Sequence, residues 1–149
     1  MSLTSDSASI ARPAPLWRRF ACMLYDLLPL IGLWMAAAAL WVWAFHRGYD
    51  LRHPDLAMRV LLDVWLLAVT AGYFVVSWTR VGQTIGMRAW KVKLVDAAGA
   101  RIGWRVAVLR FVLALVSLAI VGCGFWYALF DADKRTWHDR VCGTRMVRL

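Results

Sequence analysis

Glutamate is absent from this chain of 149 residues, so all nine acidic side chains are aspartates, against 18 lysines and arginines. Cysteine is scarce as well: the three cysteines form no Cys-x-x-Cys pair, and an odd number argues against a disulfide framework. Cys22, Cys123 and Cys142 are therefore interpreted as small apolar side chains. The three histidines lie too far apart in the sequence for a helical metal pair. No metal or other cofactor is expected.

The chain also lacks the usual catalytic combinations. No Ser/His/Asp or Cys/His set occurs in a recognisable context, and Gly82–Gly86 is not followed by the Gly-Lys-Ser/Thr of a phosphate loop. We therefore expect no enzymatic activity. The excess of positive charge is typical of nucleic-acid binding, but here the bases lie between apolar segments. Bases in such positions are better explained by the positive-inside rule and by contact with anionic lipid headgroups. No nucleic-acid partner is therefore expected.

Charge is missing altogether from three long segments: Leu27–Phe45 (19 residues), Val64–Thr79 (16) and Phe111–Phe130 (20). A helix of about 20 apolar residues crosses the hydrocarbon core of a bilayer, which is roughly 30 Å thick. The composition, with 62% hydrophobic residues, is more apolar than that of a soluble domain. The sequence therefore predicts an all-α integral membrane protein with about three hydrophobic helical segments in a lipid bilayer.

The two ends of the chain differ in composition. Residues 1–15 have little to bury and are expected to form a disordered tail, whereas residues 16–149 are predicted to be the membrane domain. The apolar stretch after Arg19 is too long for a cleaved signal peptide and is interpreted as a retained first span. The connection Arg80–Arg110 carries seven bases and one aspartate, while His46–Arg59 is nearly balanced. The positive-inside rule therefore predicts a cytoplasmic N-terminus.

The same rule leaves the side of the C-terminus open. Three full spans would place the tail outside, yet the tail from Asp131 carries five bases, which favour the inside. One arrangement is a plain third span with an exported basic tail. In the other, the third segment breaks or re-enters at Gly122–Gly124 and returns to the cytoplasmic side, because glycine weakens a helix locally. The sequence slightly favours the second arrangement.

The basic connection after the second segment has a pattern of its own. Residues 90–96 alternate and contain β-formers, residues 97–100 supply a turn, and residues 101–103 could return as a strand. A short cytoplasmic β-hairpin is predicted there. Gly82–Gly86 is interpreted as a turn followed by a short amphipathic helix. The bases in Arg105–Arg110 are interpreted as interfacial side chains that extend to the headgroups.

Asp26 lies immediately before the first charge-free segment. A carboxylate in such a span costs about 2.5 kcal/mol or more unless it has a partner or water. Arg19 is seven residues earlier, so both side chains share a helix face, roughly 10 Å apart along the axis. Because a direct ion pair is not expected at that separation, a third group must complete the set. Asp139 would contact Arg19 if the tail folds back; otherwise Asp139 is a helix cap or turn residue on the surface.

Three ordered motifs resemble the RDD family of bacterial membrane proteins. They are Arg19-Phe20-Ala21 with Tyr25-Asp26, then Gly82–Arg88 with Val92–Asp96, and finally Thr136–Arg140 with Gly143–Val147. The family is named for one arginine and two aspartates, which the resemblance places at Arg19, Asp26 and Asp139. Met87 and Trp137 depart from the residues usual in the family. The resemblance implies a multi-pass protein of the bacterial inner membrane, for which transport has been suggested.

Two functions remain as alternatives. In the first, a charge cluster of Arg19, Asp26 and Asp139 serves the transport of a proton, a small cation or a small ligand, with His138 and Arg140 as accessory residues. In the second, the same charges hold the tail against the first helix of a non-transporting structural or partner-binding membrane protein. Because one chain with about three spans is small for a complete pathway, we expect a homo-oligomer or a membrane partner protein.

Overall fold

A computed structural model describes residues 13–45, 55–119 and 137–149 of the chain. Within these residues the chain forms five helices and two strands. In chain order they are α1 (Leu16–Phe45), α2 (Leu56–Arg80), α3 (Ile85–Ala89), β1 (Val92–Asp96), α4 (Trp104–Ala119), α5 (Trp137–Val141) and β2 (Thr144–Arg148).

The helices α1 and α2 are long and apolar enough to cross a bilayer, with 30 and 25 residues. Most of their apolar side chains are exposed on the surface of the protein, where lipid can cover them. Hydrogen bonds join the helices along their length; in two of them, Trp34 Nε1 donates to Thr70 Oγ1 (2.8 Å) and Trp65 Nε1 donates to the carbonyl of Ala37 (3.2 Å). Such bonds satisfy polar groups that lipid would leave unpaired. Two of the predicted apolar segments are therefore helices of spanning length.

The third apolar segment is described only in its first part, which belongs to α4. This helix packs against α2, and the rings of Phe74 and Phe111 have centroids 6.1 Å apart. The glycines Gly122–Gly124 lie outside the described residues, so the predicted break stays a prediction. The tail returns to the end of the molecule at which α4 begins, because Arg110 in the second turn of α4 is bonded to Asp139 of α5.

The strand β1 pairs with the C-terminal strand β2 and not with a neighbouring segment. Their register is antiparallel, with Leu94 opposite Met146. The predicted hairpin is therefore wrong, although its turn is present at Asp96–Ala100, closed by a backbone hydrogen bond of 3.0 Å. Residues 101–103 form no strand, because α4 begins at Trp104 and takes up the residues that a returning strand would need.

The N-terminal segment lies along the other edge of β2. Pro13 forms an antiparallel bridge with Val147, and the amide of Ala14 donates to the carbonyl of Met146 (2.9 Å). Ala14 is fully buried. The last residues of the tail that was expected to be disordered are therefore ordered, because β2 provides backbone partners for them. Residues 1–12 lie outside the described residues.

The segments 13–15, 81–103 and 137–149 together form a cap at one end of the helices. The cap is held to the helices by an apolar core, in which Leu94 packs with Cys22 of α1, Trp78 of α2, and Ala107 and Phe111 of α4. Burial of such side chains is the main favourable contribution to folding. Because strand pairing and this core fix the cap, both ends of the described chain lie at the same end of the helices.

We expect reporter fusions at the N- and C-termini to lie on the same side of the membrane, because Ala14 and Met146 share a hydrogen bond. Alkaline phosphatase and green fluorescent protein fusions measure this directly, since each is active on one side only. A reporter inserted between residues 46 and 54 is the control: α1 and α2 carry that connection to the opposite end, so its signal should be reversed. Termini on opposite sides would contradict the cap.

Candidate functional site: two buried aspartates

Arg19 in the first turn of α1 is buried, with 4% of its surface exposed. Its Nη1 donates to Asp139 Oδ2 at 2.7 Å, and its Nε donates to the carbonyl of Ala14 at 3.2 Å. The structure therefore brings together two of the three predicted site residues, although they lie 120 positions apart in the chain. The neighbouring Arg18 has different contacts, because its Nη1 donates to the carbonyl of Trp90 (3.3 Å).

Asp139 has a second cationic partner, Arg110. The Nη1 of Arg110 donates to Asp139 Oδ1 and, at 2.6 Å, to Thr144 Oγ1. Arg110 is 2% exposed, and its guanidinium lies 5.5 Å from the ring centroid of Trp78. The interpretation of Arg110 as an interfacial base is therefore wrong. The folded-back α5 brings a carboxylate to it, and the ion pair replaces the water that a headgroup position would supply.

Arg19, Arg110 and Asp139 form an ionic set. Its net charge is +1, because two guanidiniums are paired with one carboxylate. Removing charges from water is costly, and the mutual attraction offsets that cost only when hydrogen bonds satisfy the remaining donors. The carbonyl of Ala14 and the hydroxyl of Thr144 contribute two such bonds. The set of Arg19, Arg110 and Asp139 thus joins α1, α4 and α5, and its auxiliary bonds extend to the N-terminal segment and β2.

Cys142 lies three residues after Asp139, outside the spanning helices. Burial raises the pKa of the Cys142 thiol; the charge of Arg110 lowers it and the charge of Asp139 raises it again. Since the thiolate is the nucleophilic form, the Cys142 thiol is protonated at neutral pH and is a weak nucleophile.

Asp26 belongs to a separate site. Its carboxylate is 3% exposed and accepts three hydrogen bonds. The hydroxyl of Tyr73 (2.7 Å) and the amide of Gly86 (2.8 Å) donate to Oδ1, and the hydroxyl of Thr84 donates to Oδ2 (2.5 Å). The single cluster of Arg19, Asp26 and Asp139 that was predicted is thus divided: one aspartate has two arginines, and the other has neutral donors.

The local sequence explains how α3 reaches Asp26. Thr84 is the N-cap of α3, and its Oγ1 accepts from the amide of Met87 (3.2 Å) while its hydroxyl donates to Asp26. Gly86 has no side chain to separate α3 from α1, and an added Cβ would overlap the carbonyl oxygen of Cys22. The sequence indicated this contact by a threonine followed two residues later by a glycine. Nothing in the sequence indicated that Tyr73 would bond Asp26.

Groups from both sites line one cavity of about 80 Å³. Arg19 and Arg110 of the ionic set line it, as do Asp26 and Thr84 of the other site, together with Trp78. A polar space of this size has room for water. The buried Nε1 of Trp78 has no acceptor in the described part of the chain. Ionisable groups of both signs therefore face one small space.

A model of the RDD family matches residues 13–143. This chain belongs to the RDD family. It is also similar to the uncharacterized protein RP437 of Rickettsia prowazekii (strain Madrid E), with 25% identity over 93 residues, which are 62% of this chain and 52% of the relative. The matched part is thus about half of that relative's length. No solved structure matches the chain. The resemblance is confirmed, and the two apolar helices agree with a membrane protein of this family.

The other predicted site residues of this RDD protein lie in α5. Arg140 is exposed, on the helix that carries Asp139. The side chain of His138 lies outside what the structure describes. Among the described residues, no group of three or more His, Cys, Asp or Glu side chains could hold a metal ion.

We expect Arg110→Gln to destabilise the RDD protein strongly, because Asp139 would lose one of the two buried cationic partners that it has among the described residues. Breaking a buried ion pair costs about 3–5 kcal/mol. The matched control is Arg105→Gln on the same helix, since Arg105 is exposed and its loss should change little. Thermal unfolding in mild detergent, followed by size-exclusion chromatography, measures both. Equal unfolding temperatures for the two variants would contradict the burial of Arg110.

Gly86→Ala is expected to separate α3 from α1, because the added methyl group would overlap the backbone of Cys22. Overpacking of this kind costs about 1–3 kcal/mol. Gly103→Ala is the control, since an added Cβ there meets nothing within 4 Å. The same unfolding assay compares them, and a Gly86→Ala variant as stable as Gly103→Ala would show that α3 does not pack this closely.

Proposed function

We propose that this RDD protein takes part in proton-linked transport across the membrane, and that Asp26 is the group that gains and loses the proton. The supporting observation is the kind of donor around its carboxylate. Two of the three donors are hydroxyls, on Tyr73 and Thr84, and the carboxylate lines the cavity. A buried ionisable residue that lines a cavity in a spanning helix is a functional-site candidate by default.

Hydroxyl donors allow Asp26 to change charge without rebuilding its surroundings. A hydroxyl donates to an ionised carboxylate, and it can accept from the same group once that group is protonated. The Thr84 oxygen is close enough for this reversal, at 2.5 Å from Oδ2. The amide of Gly86 would still donate to the other oxygen. Because the amide of Met87 already donates to Thr84 Oγ1, the hydroxyl hydrogen of Thr84 would turn toward the cavity that Thr84 lines.

Asp139 is unsuited to the same role. Its carboxylate accepts hydrogen bonds from N–H groups of Arg19 and Arg110. A guanidinium has no acceptor atom, so neither arginine could accept a hydrogen bond from a protonated Asp139. Protonating Asp139 would leave two buried cations without their counter-ion, which is costly. We therefore assign Asp139 to the architecture of the site and Asp26 to the exchange of the proton.

The small size of the chain bears on how a pathway would form. Two helices of spanning length and α4 cannot enclose a complete route, so we propose a homo-oligomer or a complex with a membrane partner protein. The basic connection and the basic cap support a cytoplasmic N-terminus under the positive-inside rule. The membrane would then be the bacterial inner membrane.

A second candidate is a non-transporting structural or partner-binding membrane protein. The observation that favours it is the bond between Arg19 and Asp139, which ties the two ends of the domain together. In this case both aspartates only hold the cap to the helices. Exchanging Arg19 and Asp139 would not test this alternative, because an arginine at position 139 would face Arg110.

We expect Asp26→Asn to abolish proton movement in proteoliposomes, measured with entrapped pyranine after a pH, sodium or potassium gradient is imposed. Asparagine keeps the shape and can still bond Tyr73, Thr84 and Gly86, so the unfolding temperature should change little. Asp63→Asn is the control, because Asp63 is an exposed carboxylate on α2 and its flux should equal that of the wild type.

Two outcomes would contradict proton exchange at Asp26. One is unchanged flux in Asp26→Asn together with normal folding. The other is a wild-type protein whose flux does not exceed that of empty liposomes under any of the three gradients. The second outcome would favour the structural candidate, and co-purification of one stoichiometric partner in mild detergent would then support it.

A further inference from the structure

Aromatic and basic side chains form a surface patch where α1 enters the cap. The patch consists of Trp17, Arg18, Tyr25 and Trp90. The ring of Trp90 is contacted edge-on by Trp17 and by Tyr25, with centroids 5.5 Å and 5.9 Å away. Trp17 and Tyr25 are about half exposed. Tryptophan and tyrosine with this mixture of apolar ring and polar edge are typical of the bilayer interface.

The guanidinium of Arg18 has N–H donors that are not used within the patch. One N–H donates to the carbonyl of Trp90 at 3.3 Å, and the cation lies 5.1 Å from the ring centroid of Trp17. Arginine carries five N–H donors in a planar fork that matches carboxylate and phosphate. Within the described ranges, no carboxylate forms an ion pair with Arg18. The side chain is half-buried and held in place, yet its charge lacks a counter-ion there.

An apolar surface continues from the patch along α1. Leu24, Leu28 and Met35 lie on the exposed part of this helix, each with about 70% of its surface uncovered. Because α1 is one of the helices of spanning length, this surface faces hydrocarbon. A molecule with an anionic head at Arg18 and an apolar chain along α1 would satisfy both parts of the surface.

The charge of the surrounding cap favours an anion. Exposed bases close to the patch in the chain include Arg88 and Lys91, and β2 adds Arg145 and Arg148. The four exposed bases outnumber the nearby Asp96, whose Oδ1 accepts from two backbone amides of its own turn. Each base near an anionic membrane surface adds to the attraction for anionic lipid.

We propose that the patch binds an anionic phospholipid from the leaflet beside the cap, with the lipid phosphate at Arg18 and an acyl chain along α1. The occupant is a lipid and not free phosphate, because the exposed apolar surface directly adjoins the basic group. This site is independent of the proton exchange at Asp26, since none of its residues lines the cavity that Asp26 lines.

Native mass spectrometry of the full chain, released from mild detergent with equal amounts of phosphatidylglycerol and phosphatidylcholine, tests the site. The wild type is expected to retain phosphatidylglycerol preferentially. Arg18→Gln should reduce the retained phosphatidylglycerol about tenfold, as expected for the loss of a charge-assisted hydrogen bond. The matched control is Arg59→Gln, an exposed base in the first turn of α2, at the end away from the cap, which should behave like the wild type.

Further variants keep the test decisive if Arg18→Gln folds poorly. Arg18→Lys keeps the charge but not the fork and should retain an intermediate amount of phosphatidylglycerol. Trp17→Leu removes an interfacial ring on an exposed surface and should also weaken retention. The site would be overturned by a wild type without preference for phosphatidylglycerol. It would also be overturned by equal losses in the Arg18 and Arg59 variants, which would indicate a diffuse effect of charge.

Discussion

The contact of Asp139 with two buried arginines determines where the two ends of the described domain can lie. A guanidinium out of water needs a counter-ion close by, and Arg19 and Arg110 share the same one. Since Arg19 begins α1 and Arg110 lies near the beginning of α4, Asp139 must come to the end of the molecule where both helices start. The pairing of β2 with β1 and with the N-terminal segment then follows, because Thr144 is only five residues beyond Asp139 and is itself bonded to Arg110.

The second aspartate organises the connection between α2 and β1. Asp26 receives the amide of Gly86 and the hydroxyl of Thr84, and it thereby fixes α3 against α1. The bond from Tyr73 adds α2 to the same group. Both aspartates therefore hold the cap to the helices, through different interactions. Asp139 fixes the two ends of the described domain through ion pairs, and Asp26 fixes the segment between α2 and β1 through hydrogen bonds from neutral donors. This difference explains why they do not form one ionic cluster, although Asp26 and the two arginines that bind Asp139 line the same small cavity.

The sequence predicted what depends on local composition. The apolar segments, the turn at Asp96–Ala100 and the short helix after Gly82 all follow from residues that are neighbours in the chain. Predictions failed where distant segments meet. β1 has the pattern of a strand, but nothing within it specifies that β2 is its partner. Arg110 looks like any interfacial arginine until α5 brings a carboxylate to it, so burial of Arg110 could not be read from the charge pattern.

The same geometry favours a proton over a metal cation in the exchange that we propose for Asp26. A sodium-sized ion needs several oxygen ligands, yet both oxygens of Asp26 are already engaged by protein donors. A proton needs no coordination sphere, and it can be shared across the short contact between Asp26 and the hydroxyl of Thr84. The surroundings of Asp26 are therefore better suited to protonation in place than to the coordination of a metal ion.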